Sequence, residues 1–356
     1  MSVVKKKNVV YVVEDLKSAQ FRYRVYNVKQ SLENNRKWCL KYYRKGEFDK
    51  IEASLCDAKI LVIERQSAKD NSILKIIDLA KKRKIKVLFD LDDLVFDYRD
   101  LLLLMRTTNS RNILYWLGYF WGIRRIAKRV DGFLCTNEFL GKKLKRSFKK
   151  PYKVIPNYLN MEQVELSERL LAKKGHRDFW VGYFSGSPTH TKDFRLVESD
   201  LIKFLNKHDD ARIMVVGYMD FSLKMKEMMK IGKVKVAKAV DYLKLQELIA
   251  KVDVNIAPLE INDFTNCKSE LKFFEAAIVK TTTVASPTYS FLHAIQDGKN
   301  GFLAKPGEWY EKMDLLYCDP ELNKKVADNA KKDVLKKFFG EKIEKDIEEA
   351  YGYFAA

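Results

Sequence analysis

Proline and glycine are scarce, at 7 and 15 of 356 residues, which excludes collagen-like, low-complexity and largely disordered chains. Cysteine is sparse too: five residues, at 39, 56, 135, 267 and 318, an odd number with no C-x-x-C pair. Neither a disulfide framework nor a zinc knuckle follows, and a reducing compartment fits best. No apolar run reaches the roughly 20 residues of a spanning helix, because Arg106, Arg111 and Arg124 interrupt Leu101–Met105 and Ile113–Ile123. The start carries Lys5, Lys6 and Lys7 and passes directly into a strand-like run, so no signal peptide is read. A soluble chain, cytoplasmic or peripheral on the inner face of the cell membrane, is expected.

Positive charge is abundant. Lys and Arg number 67 against 48 Asp and Glu, a net +19, so the surface needs an anionic partner: nucleic acid, a phosphorylated substrate or an anionic membrane. With 47% hydrophobic residues the length suits two domains of ordinary size. Nearly continuous β-branched runs at Asn8–Val13, Lys59–Ile63, Lys86–Phe89, Gly132–Cys135 and Lys153–Ile155 predict buried parallel strands, with helical spacing at Arg22–Leu32, Phe48–Leu55 and Ile73–Ala80. A second series runs through Trp180–Phe184, Ala211–Val216, Val234–Ala237, Val252–Ala257 and Thr282–Ala285. The expected class is α/β, two Rossmann-like domains facing across a cleft: 1–158, a linker at 159–178, 179–340, and a C-terminal helix at 341–356 that packs back on the first domain.

Four groups of residues stand where such sheets place chemistry, at the carboxyl ends of strands. Asn266–Ala277, NCKSELKFFEAA, predicts a helix with Ser269 as N-cap; its unpaired N–H groups, Lys268, Ser269, Glu270 and Leu271 would face a diphosphate, and Glu275 would accept from ribose hydroxyls. An amphipathic helix with a solvated glutamate has the same spacing. Phe184-Ser185-Gly186-Ser187 followed by Lys192 supplies a small-residue loop and a cation for phosphate; a surface turn is the alternative. Val87–Asp97, VLFDLDDLVFD, places Asp90, Asp92 and Asp93 at a strand end, where they would position hydroxyls, take a proton, hold a cation or merely cap a helix. Glu14–Tyr26 carries Arg22 and Arg24 toward an acceptor or the donor phosphate.

The second half resembles the nucleotide-binding domain of GT-B glycosyltransferases, most closely glycosyltransferase family 4. In that family a helix with two glutamates eight positions apart holds the donor. Glu275 matches the second, and Cys267 stands at the first. Of the Arg and Lys expected in the phosphate loop, Ser187 replaces the Arg and Lys192 matches the Lys. The resemblance spans roughly Trp180–Leu303 and implies a nucleotide-sugar donor, a retaining reaction and no metal or other cofactor. Catalytic roles then fall to Asp92, Asp93 and Lys192. All four histidines, His176, His190, His208 and His293, follow residue 158, leaving the acceptor domain no imidazole base. Asp90-Leu91-Asp92 also fits the DxD metal motif of GT-A transferases, a rival reading that leaves the second domain unexplained.

Between Leu101 and Val130 lie six bases and no acid, interleaved with Tyr115, Trp116, Tyr119, Phe120 and Trp121. This predicts an interfacial helix on anionic lipid through Trp116, Trp121, Arg124, Arg125, Lys128 and Arg129; packing of the aromatics into the core is the alternative. No nucleic-acid-binding signature accompanies the charge, so nucleic acid is not expected as a partner. The expected function is transfer of a sugar to a glycan or lipid-linked acceptor in cell-surface polysaccharide or glycoconjugate assembly; a non-catalytic basic binding protein, either a glycan-assembly subunit or a nucleic-acid binder, is a further alternative.

Overall fold

Apolar runs too short to be helices and flanked by polar turns form two six-stranded parallel sheets. The computed structural model describes residues 6–171, 178–185 and 191–356. In the first sheet β1 (Lys7–Val13), β2 (Trp38–Arg44), β3 (Ala58–Glu64), β4 (Lys86–Leu91), β5 (Gly132–Cys135) and β6 (Tyr152–Val154) lie in the order β2-β1-β3-β4-β5-β6. The second holds β7 (Phe179–Phe184), β8 (Ala211–Val216), β9 (Val234–Ala237), β10 (Val254–Ala257), β11 (Thr282–Ala285) and β12 (Phe302–Leu303), ordered β12-β11-β10-β7-β8-β9. Each sheet reverses strand order beside its first strand, the point where α/β sheets present ligands.

The chain divides into two units, the first comprising Met1–Asn160, Cys267–Ser269 and Phe338–Ala356, the second Met161–Asn266 and Glu270–Lys337. Residues 161–171, inside the segment expected to be a linker, form a helix that groups with the second unit. The terminal helix Glu341–Ala355 groups with the first: Tyr351 and Tyr11 share a buried hydroxyl hydrogen bond of 2.8 Å, and Asn35 donates to Glu344 and Glu348 at 2.6 and 2.7 Å.

Two strands were not expected from the sequence. β2 is an edge strand whose burial alternates, with Lys41 and Arg44 interrupting the apolar run, and β12 has only two residues. The second core is built from Val181, Ile213, Val215, Val254, Ile256 and Val284 of the sheet, with Phe194, Phe204 and Trp309 from its helices. Gly217, with φ +105°, ends β8 against Ser185; a Cβ there would lie 2.0 Å from the Ser185 carbonyl oxygen, so only glycine permits this approach of the two strand ends.

Candidate active site

In the first unit the carboxyl ends of β1, β3 and β4 and the helical segment following β1 bring charged side chains together. That segment carries a π-helical turn at Arg22–Tyr26. There Arg24 is 1% exposed, its Nε donating to Asp90 Oδ1 at 3.0 Å and one terminal nitrogen to the Ile155 carbonyl at 2.5 Å and Asn157 Oδ1 at 3.2 Å. The acceptor-facing role expected of Arg24 is therefore corrected: an ion pair and a carbonyl hold it inside the unit. Arg22 is half-buried with its guanidinium 4.2 Å from the centre of the Tyr23 ring.

Asp92 and Asp93 follow β4 and share one guanidinium, with Arg65 Nε 2.7 Å from Asp92 and a terminal nitrogen 3.2 Å from Asp93. Gln20 Oε1 accepts the hydrogen of the same Nε at 3.0 Å, so Asp92 Oδ1 is held by the ion pair. Burial pushes the Asp92 carboxyl up, and Asp93 adds to the rise against the pull of Arg65. Burial, then Asp92 and Asp93, push the Tyr119 hydroxyl up to about 12, while Arg65 opposes them. Beneath this rim lie Asp90 and Glu64, 2% exposed each, paired across β4 and β3.

Arg65, Glu64, Tyr119 and Gln20 escaped the sequence reading. The first two had a visible signal, since an apolar strand ending in Glu-Arg obeys the same strand-end rule that exposed Asp90, Asp92 and Asp93. The other two come from helices, and no spacing links them to a strand end.

Lys268 and Ser269 group with the first unit. The Lys268 ammonium lies 3.6 Å from Asp93, and Asn157 Nδ2 donates to Ser269 Oγ at 2.9 Å. Because its hydroxyl is engaged there, Ser269 does not cap the following helix. The N-cap is Glu270, without a side-chain cap bond, and the helix is Leu271–Ala277.

In the second unit Glu270 and Glu275 are buried and Leu271 is half-buried. Burial pushes the Glu270 carboxyl up to about 7 against hydrogen bonds from its own backbone and the Ser290 hydroxyl. The Glu275 carbonyl accepts from Gln246 Nε2 at 2.7 Å, tying the helix to its neighbour. Lys192 is exposed in the helix Thr191–Arg195, beside buried Asp193, whose Oδ1 accepts from the Glu260 N–H at 3.2 Å. Lys272, which the sequence reading did not assign to the site, holds its ammonium 4.6 Å from the centre of the Tyr183 ring. Gly186, Ser187 and His190 fall outside the described residues, as does His176.

The aromatic helix Ile113–Arg129 has two faces. Phe120, Gly122, Ile123, Ile126 and Ala127 are buried; a Cβ at Gly122 would lie 2.0 Å from Ser67 Oγ, which explains the small residue there. The outward stripe is apolar, with Leu114 77%, Trp121 53% and Leu117 38% exposed, and Leu102 of the helix Leu101–Thr107 72% exposed. Three residues expected to face a membrane do not. Trp116 is half-buried among Tyr115, Tyr119 and Phe120, while Arg124 donates to the Phe96 carbonyl and Arg125 to that of Ala68, each at 2.9 Å. Helical period sends these side chains toward the body, where bare carbonyls take the guanidinium protons. Lys128 and Arg129 are exposed. Among the described residues no helix is long and apolar enough to cross a membrane.

Residues 180–319 match the sequence model of the family described as Glycosyl transferases group 1. No curated protein matches the chain in sequence. Solved structures of the same fold include a glycosyltransferase from Rickettsia africae, 14% identical with a TM-score of 0.66, covering 99% of each chain. Sucrose-phosphate synthase from Thermosynechococcus elongatus is 13% identical, TM-score 0.65, covering 98% of this chain and 99% of that one. HepE from Anabaena, in complex with UDP and glucose, is 14% identical, TM-score 0.64, covering 98% and 100%. At such identities the likeness is one of fold. Two Rossmann-like units and the family match define a glycosyltransferase of GT-B type. The likeness to the group 1 glycosyltransferases lies in residues 180–319.

Proposed function

We propose that this enzyme moves a sugar from a nucleoside diphosphate donor to a glycan or lipid-linked acceptor, with retention and without a metal, in assembling a cell-surface polysaccharide or glycoconjugate. The family match over 180–319 carries the reading, because it spans Lys192, Lys268, Glu270 and Glu275 on a fold shared with a UDP-bound glycosyltransferase. Lys192 and Lys268 would offset charge on the departing diphosphate, and Glu275 would accept from the ribose hydroxyls. Asp92 and Asp93 would orient the acceptor hydroxyl, held in place by Arg65. Metal-free chemistry is supported by the partners of the DxD aspartates, since the Arg24 guanidinium bonds Asp90 and that of Arg65 pairs with Asp92, so each carboxylate already has a cation beside it.

A thermal-shift screen over UDP-, GDP- and dTDP-sugars tests the donor reading. The preferred donor at 100 times its dissociation constant should stabilise the protein by about 2.7 kcal/mol. Glu275→Ala should then weaken that donor by roughly 1.5 to 3 kcal/mol for each charged hydrogen bond lost. Unchanged calorimetric affinity in the variant would remove Glu275 from the site.

We further propose a cytoplasmic, peripheral enzyme that docks on anionic lipid through the helix Ile113–Arg129. Its exposed apolar stripe beside Lys128 and Arg129, in a stretch without acids, supports this. The protein should co-sediment at low salt with vesicles containing anionic lipid and not with neutral ones, and salt should release it. Leu114→Ala with Trp121→Ala, and separately Lys128→Ala with Arg129→Ala, should each reduce binding. Indifference to anionic vesicles would leave the stripe to another role.

A further inference from the structure

At the carboxyl ends of β3 and β4 one carboxyl has no cation among the described residues. Arg24 bonds Asp90, Arg65 holds Asp92 and Asp93, and Lys268 lies 3.6 Å from Asp93. Among the described residues no cation lies within ion-pair distance of Glu64, which ends β3. Its side chain is buried, and Oε1 makes no hydrogen bond. The groups that face it are Arg65 just after its own strand, Asp90 at the end of β4 and Asp92 just after it, and the Glu14 backbone N–H after β1, which bonds the carboxyl. Burial, and then Asp90 and Asp92, push Glu64 up to about 8, so at neutral pH it is an uncharged acid.

We propose that Glu64 is a positioning residue of the acceptor site: a buried carboxyl that takes no ion pair among the described residues leaves the Arg65 guanidinium to Gln20, Asp92 and Asp93, and so keeps Asp92 oriented as a hydrogen-bond acceptor for the incoming hydroxyl. The inference rests on the acceptor role proposed above for Asp92. Were Glu64 ionised, its carboxylate would compete for the Arg65 guanidinium and repel Asp92 from the same side. Asp92 would then lose the 2.7 Å contact that fixes it. Glutamine keeps the shape and stays neutral at every pH, whereas alanine removes the group and opens a void among three charged neighbours.

The test is kcat/KM for the acceptor between pH 6.5 and 9.5, with donor affinity measured by calorimetry alongside. Wild type should lose acceptor turnover by about tenfold per unit above an apparent pKa near 8, with donor affinity unmoved. Glu64→Gln should carry its transfer through that range without the fall, and should recover most of what Glu64→Ala loses. The same alkaline fall in Glu64→Gln overturns the proposal, as does a folded Glu64→Gln as impaired as Glu64→Ala. Should wild type transfer no sugar at all, the acceptor reading itself fails, and carbon-13 NMR of the Glu64 carboxyl decides the remainder. Titration near 8 supports the uncharged carboxyl, and titration near 4.5 overturns it.

Discussion

Asp90→Ala is expected to destabilise the first unit by about 3 to 5 kcal/mol, the usual cost of stranding one partner of a buried ion pair. Arg24 cannot shed its proton, and at 1% exposure it cannot reach water without opening the packing around β4 and the Arg22–Tyr26 turn. Its remaining bonds, to the Ile155 carbonyl and Asn157, are to neutral groups and do not balance the charge. Urea denaturation, read from the transition belonging to the first unit, measures the effect. A loss below about 1 kcal/mol, the range of exposed pairs, would show that Arg24 finds solvent or another anion. Replacing both partners, as Arg24→Met with Asp90→Leu, should recover much of the loss, because no buried charge then remains.

Glu64 should make the protein less stable as pH rises from about 4.5 to about 8. The sign follows from the proton. The folded state holds it more tightly than the unfolded chain, so below the unfolded value both states are protonated and nothing is lost. Above it the unfolded chain ionises first and is favoured progressively, until the folded carboxyl also ionises and the slope ends. At pH 7 the penalty is about 3 kcal/mol, from 2.5 units between the unfolded value of 4.5 and that pH. Glu64→Gln removes it, so the variant should be more stable than wild type at pH 7 by an amount that vanishes toward pH 4. Chemical denaturation of both proteins at pH 5, 6, 7 and 8 checks this; parallel stability curves would show that Glu64 is ionised in the folded protein.

Much of the scaffold is written in the chain. Asn8–Val13, Gly132–Cys135, Ala211–Val216 and Thr282–Ala285 read as strands from their apolar runs and lie within or coincide with observed ones, because an interior strand is covered on both faces and is apolar at most successive positions. The alternation of such runs with helical spacing dictated parallel sheets, and the strand-end rule found Asp90, Asp92 and Asp93. β2 stayed hidden because an edge strand needs only one buried face, and its Lys41 and Arg44 look like loop.

What the chain could not declare is which way a polar side chain points and who meets it there. Arg22 and Arg24 are alike in sequence, yet a π-helical turn leaves the first half-buried and seats the second on Asp90, 66 residues away. Arg124 and Lys128 belong to one basic run, but one caps the Phe96 carbonyl and the other meets solvent. Glu64 and Arg65 are neighbours whose fates are opposite, one a carboxyl with no cation among the described residues and the other a cation with two carboxylates. Hydrophobic periodicity is a local property and fixes the elements from sequence alone. Charge pairing is a contact between distant elements, and the energy of an ionised group depends on partners that only the packed sheet brings within reach.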